Sequence, residues 1–241
     1  MKISVITVCF NEKETIRRTI ESVTAQTFDG LEYIITDGAS TDGTVDIIKE
    51  YADDPRIDYI SEPDGGLYDA MNKSLARASG DYVIFMNSGD MFYDGSVLAD
   101  VAPLLAGDIV YGDVLRRSSS GDYIQTYKGT RTERIRLMLC GLMFCHQTQF
   151  TRAALMKEYG FRFDYAITAD FDFVVRCMSE GRSFKHIDRV ICSFDNEGGI
   201  SAQEANFTRM RRDVDSSIRQ YFPVLYYCTI IPKRLFRLLF R

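Results

Sequence analysis

The first ninety residues alternate short apolar runs, rich in β-branched residues, with segments of helical period, and this alternation restricts the fold more than any other feature. Strand-like runs occur at 3–9, 31–36, 56–61 and 81–86, and helical segments at 12–25, 44–51 and 67–78. Because crossovers between parallel strands are right-handed, such a βαβαβαβ series implies a parallel sheet with helices on both faces. The expected fold class is α/β, with a single Rossmann-like, mostly parallel central sheet.

The second half of the chain is less regular. Strands are predicted at 108–114, 123–127 and 184–194, and helices at 152–159 and 170–179, while 137–150 is mixed. There is no internal repeat, low-complexity segment or linker rich in Pro and Gly. A length of 241 residues suits one large domain with a small extension. We therefore predict one domain over 1–215 and a separate tail over 216–241.

Charge is distributed unevenly along the chain. With 29 basic and 34 acidic residues, the net charge is -5, which disfavours a nucleic-acid partner because phosphate backbones attract cations. After Asp215 the chain has no acidic residue but carries Arg219, Lys233, Arg234, Arg237 and Arg241. Bases and apolar residues alternate after Pro232, a pattern that suits a short helix in a membrane interface. The alternative is that the aromatic residues of 221–241 pack on the domain itself or in a homodimer.

Cysteine usage and hydropathy indicate the compartment. The six cysteines form no CxxC pair and no zinc-like spacing, so we expect reduced core thiols of a cytoplasmic protein: Cys9, Cys140, Cys145, Cys177, Cys192 and Cys228. The first strand is too short for the apolar region of a signal peptide. No uncharged stretch approaches the roughly 18 residues of a membrane span, so none is predicted.

Polar residues follow each of the first four predicted strands, at 10–12, 37–38, 61–66 and 87–90. In open α/β sheets, ligands bind beyond the carboxyl ends of the strands, where these four segments meet. Asn, Asp and Gly are also ordinary turn residues, which is the alternative explanation. The GxxxxGK[ST] and GxGxxG fingerprints are absent, which argues against a P-loop kinase and a Rossmann dehydrogenase. If this acidic edge binds a nucleotide, a divalent cation must lie between its carboxylates and the negatively charged phosphates. Asp90 offers a carboxylate for such a cation.

Three of these segments, at 7–12 (Thr-Val-Cys-Phe-Asn-Glu), 37–44 (Asp-Gly-Ala-Ser-Thr-Asp-Gly-Thr) and 80–90, resemble in order and spacing the family 2 glycosyltransferases of the GT-A fold. The likeness covers roughly residues 1 to 200. Segment 61–73 further resembles the branch that includes colanic-acid and other bacterial exopolysaccharide or O-antigen transferases. The resemblance implies an inverting transfer from a nucleotide-sugar, UDP being favoured, with Mn²⁺ or Mg²⁺ as cofactor. The implied acceptor is a saccharide, carried on a lipid at the cytoplasmic face of the inner membrane, in surface polysaccharide synthesis.

The resemblance also assigns residues to the nucleotide pocket. It places Asp37 against the base and Gly66, Asn72 and Lys73 in the loop and helix that close over the nucleotide. The remaining pocket residues that it implies are Thr7, Asn11, Glu12, Asn87 and Ser88. The family's usual Asp-x-Asp is here Asn-Ser-Gly-Asp at 87–90, which leaves Asp90 as the sole carboxylate for a metal.

Segment 168–176 resembles the family motif that carries the general base, which indicates Asp170, with Asp172 in reserve. An Asp at the start of a helix is also a favoured N-cap, and from spacing alone the two interpretations are equal. His146 and Gln147 precede this helix and are candidates for contact with the donor phosphates or the acceptor. A lone His is more often structural.

Two other classes of protein share parts of this pattern. A sugar nucleotidyltransferase has a similar architecture, but it needs a Gly-rich, basic first loop, of which residues 9–13 are a poor version. A non-catalytic nucleotide-sugar-binding module would have no reason to keep both Asp90 and Asp170. The sequence therefore favours the glycosyltransferase.

Overall fold

The computed structural model describes residues 1–130, 132–134, 137, 143–165, 167–195 and 204–232. Its N-terminal half contains the predicted series of strands and helices: β1 (Ile3–Cys9), α1 (Ile16–Thr24), β2 (Leu31–Asp37), α2 (Thr44–Lys49), β3 (Ile57–Ser61), α3 (Leu67–Arg77) and β4 (Tyr82–Phe85). Helix α1 begins four residues later than predicted because Glu12 accepts backbone hydrogen bonds from Thr15 and Ile16 in a preceding turn.

The second half adds shorter elements: β5 (Met91–Phe92), α4 (Val97–Val101), β6 (Ile109–Arg117), β7 (Tyr123–Gln125), β8 (Gln149–Arg152), α5 (Ala153–Tyr159), α6 (Ala169–Ser179), β9 (Phe184–Asp195) and α7 (Phe207–Tyr221). A 3₁₀ turn, His146–Thr148, precedes β8. The predicted strands and helices of this half are all present, whereas the mixed segment 137–150 lies largely outside the described residues.

The sheet runs in the order β3-β2-β1-β4-β8-β6-β9-β5, with β7 paired to the outer part of β6. Strands β3, β2, β1 and β4 are mutually parallel. Strand β8 lies antiparallel between β4 and β6, so β4 and β6 point the same way, and β9 is parallel to β6. The mostly parallel sheet is confirmed, and the carboxyl ends of β1 to β4 meet at one edge, as predicted.

Both faces of the sheet are buried. Ile6 of β1 and Ile34 of β2 belong to the apolar cluster under α3, α5 and α6, whereas Val5 and Ile35 belong to the cluster under α1 and α4. Successive residues of a strand point to opposite faces, so burial on both sides requires an uninterrupted apolar run. This is why the strands read as continuous apolar sequence.

Helix α7 crosses the boundary predicted between residues 215 and 216. Ile218 is 1% exposed, and Tyr221, Phe222 and Tyr226 pack against the same core as α6. Part of the predicted tail therefore belongs to the folded domain, since cutting at 215 would split a packed helix. Residues 233–241, with most of the basic charge, lie outside the described residues. Within the described ranges, none of the helices is both long and apolar enough to span a bilayer.

The cysteines follow the prediction in part. Cys9, Cys177 and Cys192 are buried free thiols, and Cys145 is half-buried. Cys228 is exposed, because it lies beyond α7 where the chain leaves the core, so the prediction of a core thiol is wrong there. Cys140 lies outside the described residues.

Candidate active site at the carboxyl edge of the sheet

The loops after β1 and β2 are tied together at this edge. Asn11 has a φ of 54°, a left-handed conformation that Asn tolerates better than most residues. Its side-chain oxygen accepts a hydrogen bond from the Thr41 amide (2.9 Å), and its own amide donates to the Ser40 hydroxyl (2.7 Å). The Glu12 amide donates to the hydroxyl of Thr44 (2.8 Å). Asn11 and Glu12 are thus held at the surface of the edge.

Asp37, the last residue of β2, is completely buried. Its carboxylate accepts hydrogen bonds from the Ser40 amide (2.9 Å), from the Ser61 hydroxyl (2.7 Å) and from the Ser40 hydroxyl. This network braces the ends of β2 and β3. Because Asp37 is also completely buried, direct contact with a nucleotide base requires that the side chains covering it move.

Thr7 lies in the middle of the sheet. It is completely buried, and its hydroxyl donates to the carbonyl of Met86 (2.6 Å) and lies 2.9 Å from the Tyr33 hydroxyl. The side chain therefore joins β1 to the segment after β4. It supports the floor of the edge and has no surface of its own there, in contrast to the position that the resemblance implies.

The loop 62–66, between β3 and α3, is fixed by its own polar residues. Gly66 has a φ of 112°, which favours glycine, and its amide donates to the Asp64 carboxylate (2.7 Å). Lys73 donates to the Pro63 carbonyl (2.9 Å) and pairs with Asp69 (3.3 Å). Gly66 thus lies at the end of the loop and Lys73 lies in α3 beside it, and their contact with a nucleotide stays a prediction.

Asn72 has a different role from the implied one. Its amide nitrogen donates to the carbonyl of Phe161 and its oxygen accepts from the amide of Phe161, both at 2.9 Å. These two bonds fasten α3 to the chain after α5. Because the whole amide group is used in this clamp, the side chain is not directed at the nucleotide edge.

The segment 87–90 follows β4. The oxygen of the Asn87 side chain is buried and has no partner among the described residues, and the Asn87 nitrogen lies 3.4 Å from His146 Nε2. The Ser88 hydroxyl is 3.0 Å from that of Thr15. Asp90 is 7% exposed, and burial raises the pKa of its carboxyl to about 6. Gln147 donates to that carboxylate at 2.9 Å.

The oxygens of this segment fit a divalent cation that is shared with a phosphate group. No cluster of three or more His, Cys, Asp or Glu side chains that could hold a metal occurs among the described residues. Mg²⁺ commonly takes only one or two protein oxygens and completes its shell with phosphate and water. The carboxylate of Asp90 and the unpartnered oxygen of Asn87 are the oxygens of this segment whose chemistry suits such an ion.

Asp170 is the second residue of α6, and its side chain is 25% exposed. One carboxylate oxygen lies 3.3 Å from His146 Nδ1 and the other accepts a hydrogen bond from the Tyr68 hydroxyl at 3.1 Å. Thr168 occupies the N-cap position of α6. Asp170 is therefore not the N-cap residue, and its carboxylate lies against the histidine.

Asp170 and His146 form an ion pair. Burial opposes ionisation of Asp170, but the hydrogen bond and charge of His146 outweigh it and lower the pKa of the carboxyl. Burial likewise opposes a charged His146, yet Asp170 raises the pKa of the imidazole to about 9. At neutral pH the site thus holds an anionic carboxylate beside a cationic ring. His146 Nε2 also lies 3.4 Å from the Asn87 nitrogen, which places the ring beside the segment 87–90, although two donors make no hydrogen bond with each other.

Two of the predicted site residues are buried and do not line the surface of this edge. Asp172 is 2% exposed, faces Ser217 of α7, and has a pKa that burial raises, so it cannot meet an acceptor at the edge. Residues two apart on a helix point to different sides, which explains why it diverges from Asp170. Gln147 is 3% exposed and holds Asp90, so it supports the candidate metal ligand and does not itself contact a ligand.

Three supporting groups could not be found from the sequence. In the sequence, Tyr68 looks like an ordinary core residue of a helix, because its position lies on the apolar face that packs against the sheet. Ser40 and Ser61 read as turn residues, although both hold Asp37. Ser61 and Tyr68 lie 24 and 102 residues from their partners, so only the fold brings these pairs together, whereas Ser40 is three residues from Asp37 and its contact is a local turn.

Comparison with known proteins gives consistent results. Residues 4–160 match the family model described as Glycosyl transferase family 2. A PGL/p-HBAD biosynthesis glycosyltransferase of Mycobacterium tuberculosis is 31% identical over 206 residues, which cover 82% of this chain and 78% of that protein.

Solved structures share the fold. Residues 1–349 of Staphylococcus aureus TarS, in complex with UDP-GlcNAc, match with a TM-score of 0.73 and 21% identity over 92% of this chain and 68% of that one. Glucosyl-3-phosphoglycerate synthase from Mycobacterium tuberculosis, in complex with Mn²⁺, UDP and phosphoglyceric acid, matches with a TM-score of 0.62 and 20% identity over 91% of this chain and 78% of that one. The expected GT-A fold is confirmed.

Proposed function

The chain belongs to glycosyl transferase family 2, and on that premise we propose that it transfers a sugar from a nucleotide-sugar donor, UDP-sugars being favoured, to a hydroxyl of a saccharide acceptor. The observation that carries this proposal is that one edge holds an ionised carboxylate at Asp170, which pairs with His146, and the segment 87–90, whose Asn87 lies beside the same histidine. TarS and glucosyl-3-phosphoglycerate synthase, crystallised with uridine nucleotides, support the preference for UDP.

Asp170 acts as the general base of the reaction. Its carboxylate takes the proton of the acceptor hydroxyl as that oxygen forms a bond to the anomeric carbon. The bond from the anomeric carbon to the donor phosphate oxygen breaks in the same step, so a single displacement inverts the anomeric centre. The low pKa of Asp170 keeps it ionised, and its partial exposure allows the acceptor to reach it.

The departing nucleoside diphosphate develops negative charge. A bound Mn²⁺ or Mg²⁺ supplies positive charge that stabilises this leaving group. Asp90 and Asn87 would hold the ion, and Gln147 keeps the Asp90 carboxylate in place. The cationic ring of His146, beside Asn87, adds positive charge on the same side.

The C-terminal segment suggests where the acceptor is located. Val224 and Tyr227 are 75% and 58% exposed, and four basic residues follow them between 233 and 241. Such a segment suits the surface of an anionic membrane, where each base contributes about 1 kcal/mol. We propose that the part of 221–241 that does not pack on the core lies at the cytoplasmic face of the inner membrane, facing an acceptor carried on a lipid in bacterial surface polysaccharide synthesis. A homodimer that covers the same aromatic residues is the alternative.

The test is the product formed from UDP-sugars and Mn²⁺. We expect release of UDP and a glycosylated acceptor. Exchange of Asp170 to Asn should lower kcat by about 10² to 10⁴-fold, because it removes the base. Donor affinity, measured by calorimetry, should change little.

Asp164→Asn provides the matched control, because Asp164 is 72% exposed and its ion pair among the described residues is with Arg162. Wild-type kcat in Asp170→Asn would disprove the assignment of the base. Release of pyrophosphate would instead indicate a sugar nucleotidyltransferase, and tight donor binding without any release would indicate a non-catalytic binding module.

A further inference from the structure

Tyr68 is the one aromatic residue that the described structure places against the carboxylate of Asp170. It is the second residue of α3 and is 6% exposed. Its hydroxyl has one proton to donate, and two acceptors lie within reach of it: the carbonyl of Ile167 at 2.7 Å and Asp170 Oδ1 at 3.1 Å. The contact joins residues that are 102 positions apart in the chain.

The geometry divides the carboxylate of Asp170 between two partners. Tyr68 bonds to Oδ1 and His146 lies against Oδ2, so rotation of the carboxylate plane would break both contacts. An ionised carboxylate can accept about four hydrogen bonds. The carboxylate therefore keeps the capacity to accept a hydrogen bond from an acceptor hydroxyl, and its side chain is 25% exposed.

The ring of Tyr68 is itself fixed by packing. It contacts Phe161, with ring centroids 5.2 Å apart, and Phe161 contacts Phe85 at the end of β4 at 5.3 Å. The segment 87–90, with Asp90, begins two residues after Phe85. The aromatic row thus packs Tyr68 against the end of β4, from which that segment continues.

The position of Tyr68 in the sequence adds a second connection. It comes two residues after Gly66, at the end of the loop that the resemblance assigns to donor closure. Asp64 of this loop lies close against Gly38, the residue after Asp37, because an added Cβ on Gly38 would meet the Asp64 carboxylate at 2.6 Å. A movement of the loop 62–66 would therefore shift the first turn of α3, and with it the Tyr68 hydroxyl that contacts Asp170.

We propose that Tyr68 is a positioning residue of the reaction: its hydroxyl holds the carboxylate of Asp170 in the orientation that receives the acceptor proton and ties that orientation to the loop 62–66. This inference rests on the proposed function, since it takes Asp170 as the base. Tyr68 does not touch the reacting atoms. Its effect is on the orientation and ionisation of Asp170.

The first test is Tyr68→Phe, which removes one oxygen and keeps the ring in the aromatic row. A hydrogen bond to a charged group is strong enough that its loss should lower kcat about tenfold. The donor KM should stay within about twofold of the wild-type value, since no donor contact is removed.

The pH profile gives a readout that a purely structural role would not change. Asp170 is faced by His146 and Tyr68, while Asp172, on the same helix, faces α7. The Tyr68 hydrogen bond favours the ionised carboxylate and lowers the pKa of Asp170. Without it the pKa rises, so the acid limb of the kcat profile should move to higher pH.

The matched control is Tyr82→Phe. The Tyr82 hydroxyl also donates to a backbone carbonyl, that of Gly107 at 2.6 Å, but it has no contact with the site. We expect this variant to keep wild-type kcat and an unchanged pH profile. Replacement of Tyr68 by a fluorinated tyrosine covers the case in which Tyr68→Phe fails to fold, because fluorine makes the phenol a stronger donor and should move the acid limb to lower pH.

A double variant separates this inference from the proposed function. In an Asp170→Asn background, Tyr68→Phe should have no further effect on residual kcat, because the charged partner is gone. If Asp170→Asn keeps wild-type activity, the assignment of the base itself fails. If Asp170→Asn is inactive but Tyr68→Phe has the wild-type kcat and acid limb, only the role of Tyr68 is overturned.

Discussion

Replacement of Gln147 by Met should weaken metal binding without changing the fold. Gln147 is buried, and its amide nitrogen donates to the Asp90 carboxylate at 2.9 Å. The thiol of Cys145 contacts the other end of the amide, Oε1, at 2.6 Å, which keeps the nitrogen directed at Asp90. Met has an unbranched side chain of similar length, so it fills the same space but cannot donate.

The magnitude follows from the type of bond that is lost. A hydrogen bond to a charged group contributes about 1.5 to 3 kcal/mol, which corresponds to roughly 10- to 150-fold in an equilibrium constant. Burial already raises the pKa of Asp90 to about 6, and the Gln147 bond acts in the opposite direction. Its removal raises the pKa of Asp90 further, so at neutral pH a metal ion must displace a proton more often.

The assay is electron paramagnetic resonance of free Mn²⁺, titrated with protein at saturating UDP. We expect the Mn²⁺ dissociation constant of Gln147→Met to rise at least tenfold at pH 7 and the difference to shrink as the pH is raised. Gln149→Met is the control, because Gln149 donates to the Thr151 hydroxyl at 2.7 Å, outside the site. Equal Mn²⁺ affinity of Gln147→Met and the wild type would refute the reasoning.

Two further predictions concern stability and membrane contact. Burial opposes ionisation of Glu32, but hydrogen bonds from Lys2, Ser4 and Ser79 outweigh it and lower the pKa of its carboxyl to about 2. A carboxyl whose pKa is lower in the folded than in the unfolded state stabilises the fold at pH values above its unfolded pKa. Glu32→Gln should therefore lower the free energy of unfolding in urea by about 1 to 2 kcal/mol at pH 7, after allowance for solvent screening, and this loss of stability should vanish as the pH falls toward 2. A loss of stability that does not change with pH would contradict this. The full chain should co-sediment with anionic vesicles more than a chain that ends at Pro232, and neither should bind zwitterionic vesicles; equal sedimentation with anionic vesicles would favour packing of the tail on protein.

The elements of the first half could be predicted from the sequence because their signal is local. A buried parallel strand needs apolar residues on both faces, and a helix on the sheet needs one apolar stripe. Strands β1 to β4 and their helices can therefore be predicted from short stretches of the sequence. The meeting of four strand ends at one edge follows from the parallel arrangement. The resemblance of their motifs to those of the family indicated Asp170 and Asp90 as candidate site residues.

The supporting contacts of the site were decided only by the tertiary structure. Gln147 meets Asp90 across 57 residues and Tyr68 meets Asp170 across 102, and neither pair leaves a periodic trace in the sequence. Asn72 could be assigned to the nucleotide edge by its motif, yet its amide clamps Phe161. Hydrogen-bond partners are chosen by distance and direction in the folded chain. The sequence therefore determined which strands end at the site, and the packing of β8 and α6 against them determined which side chains do its chemistry.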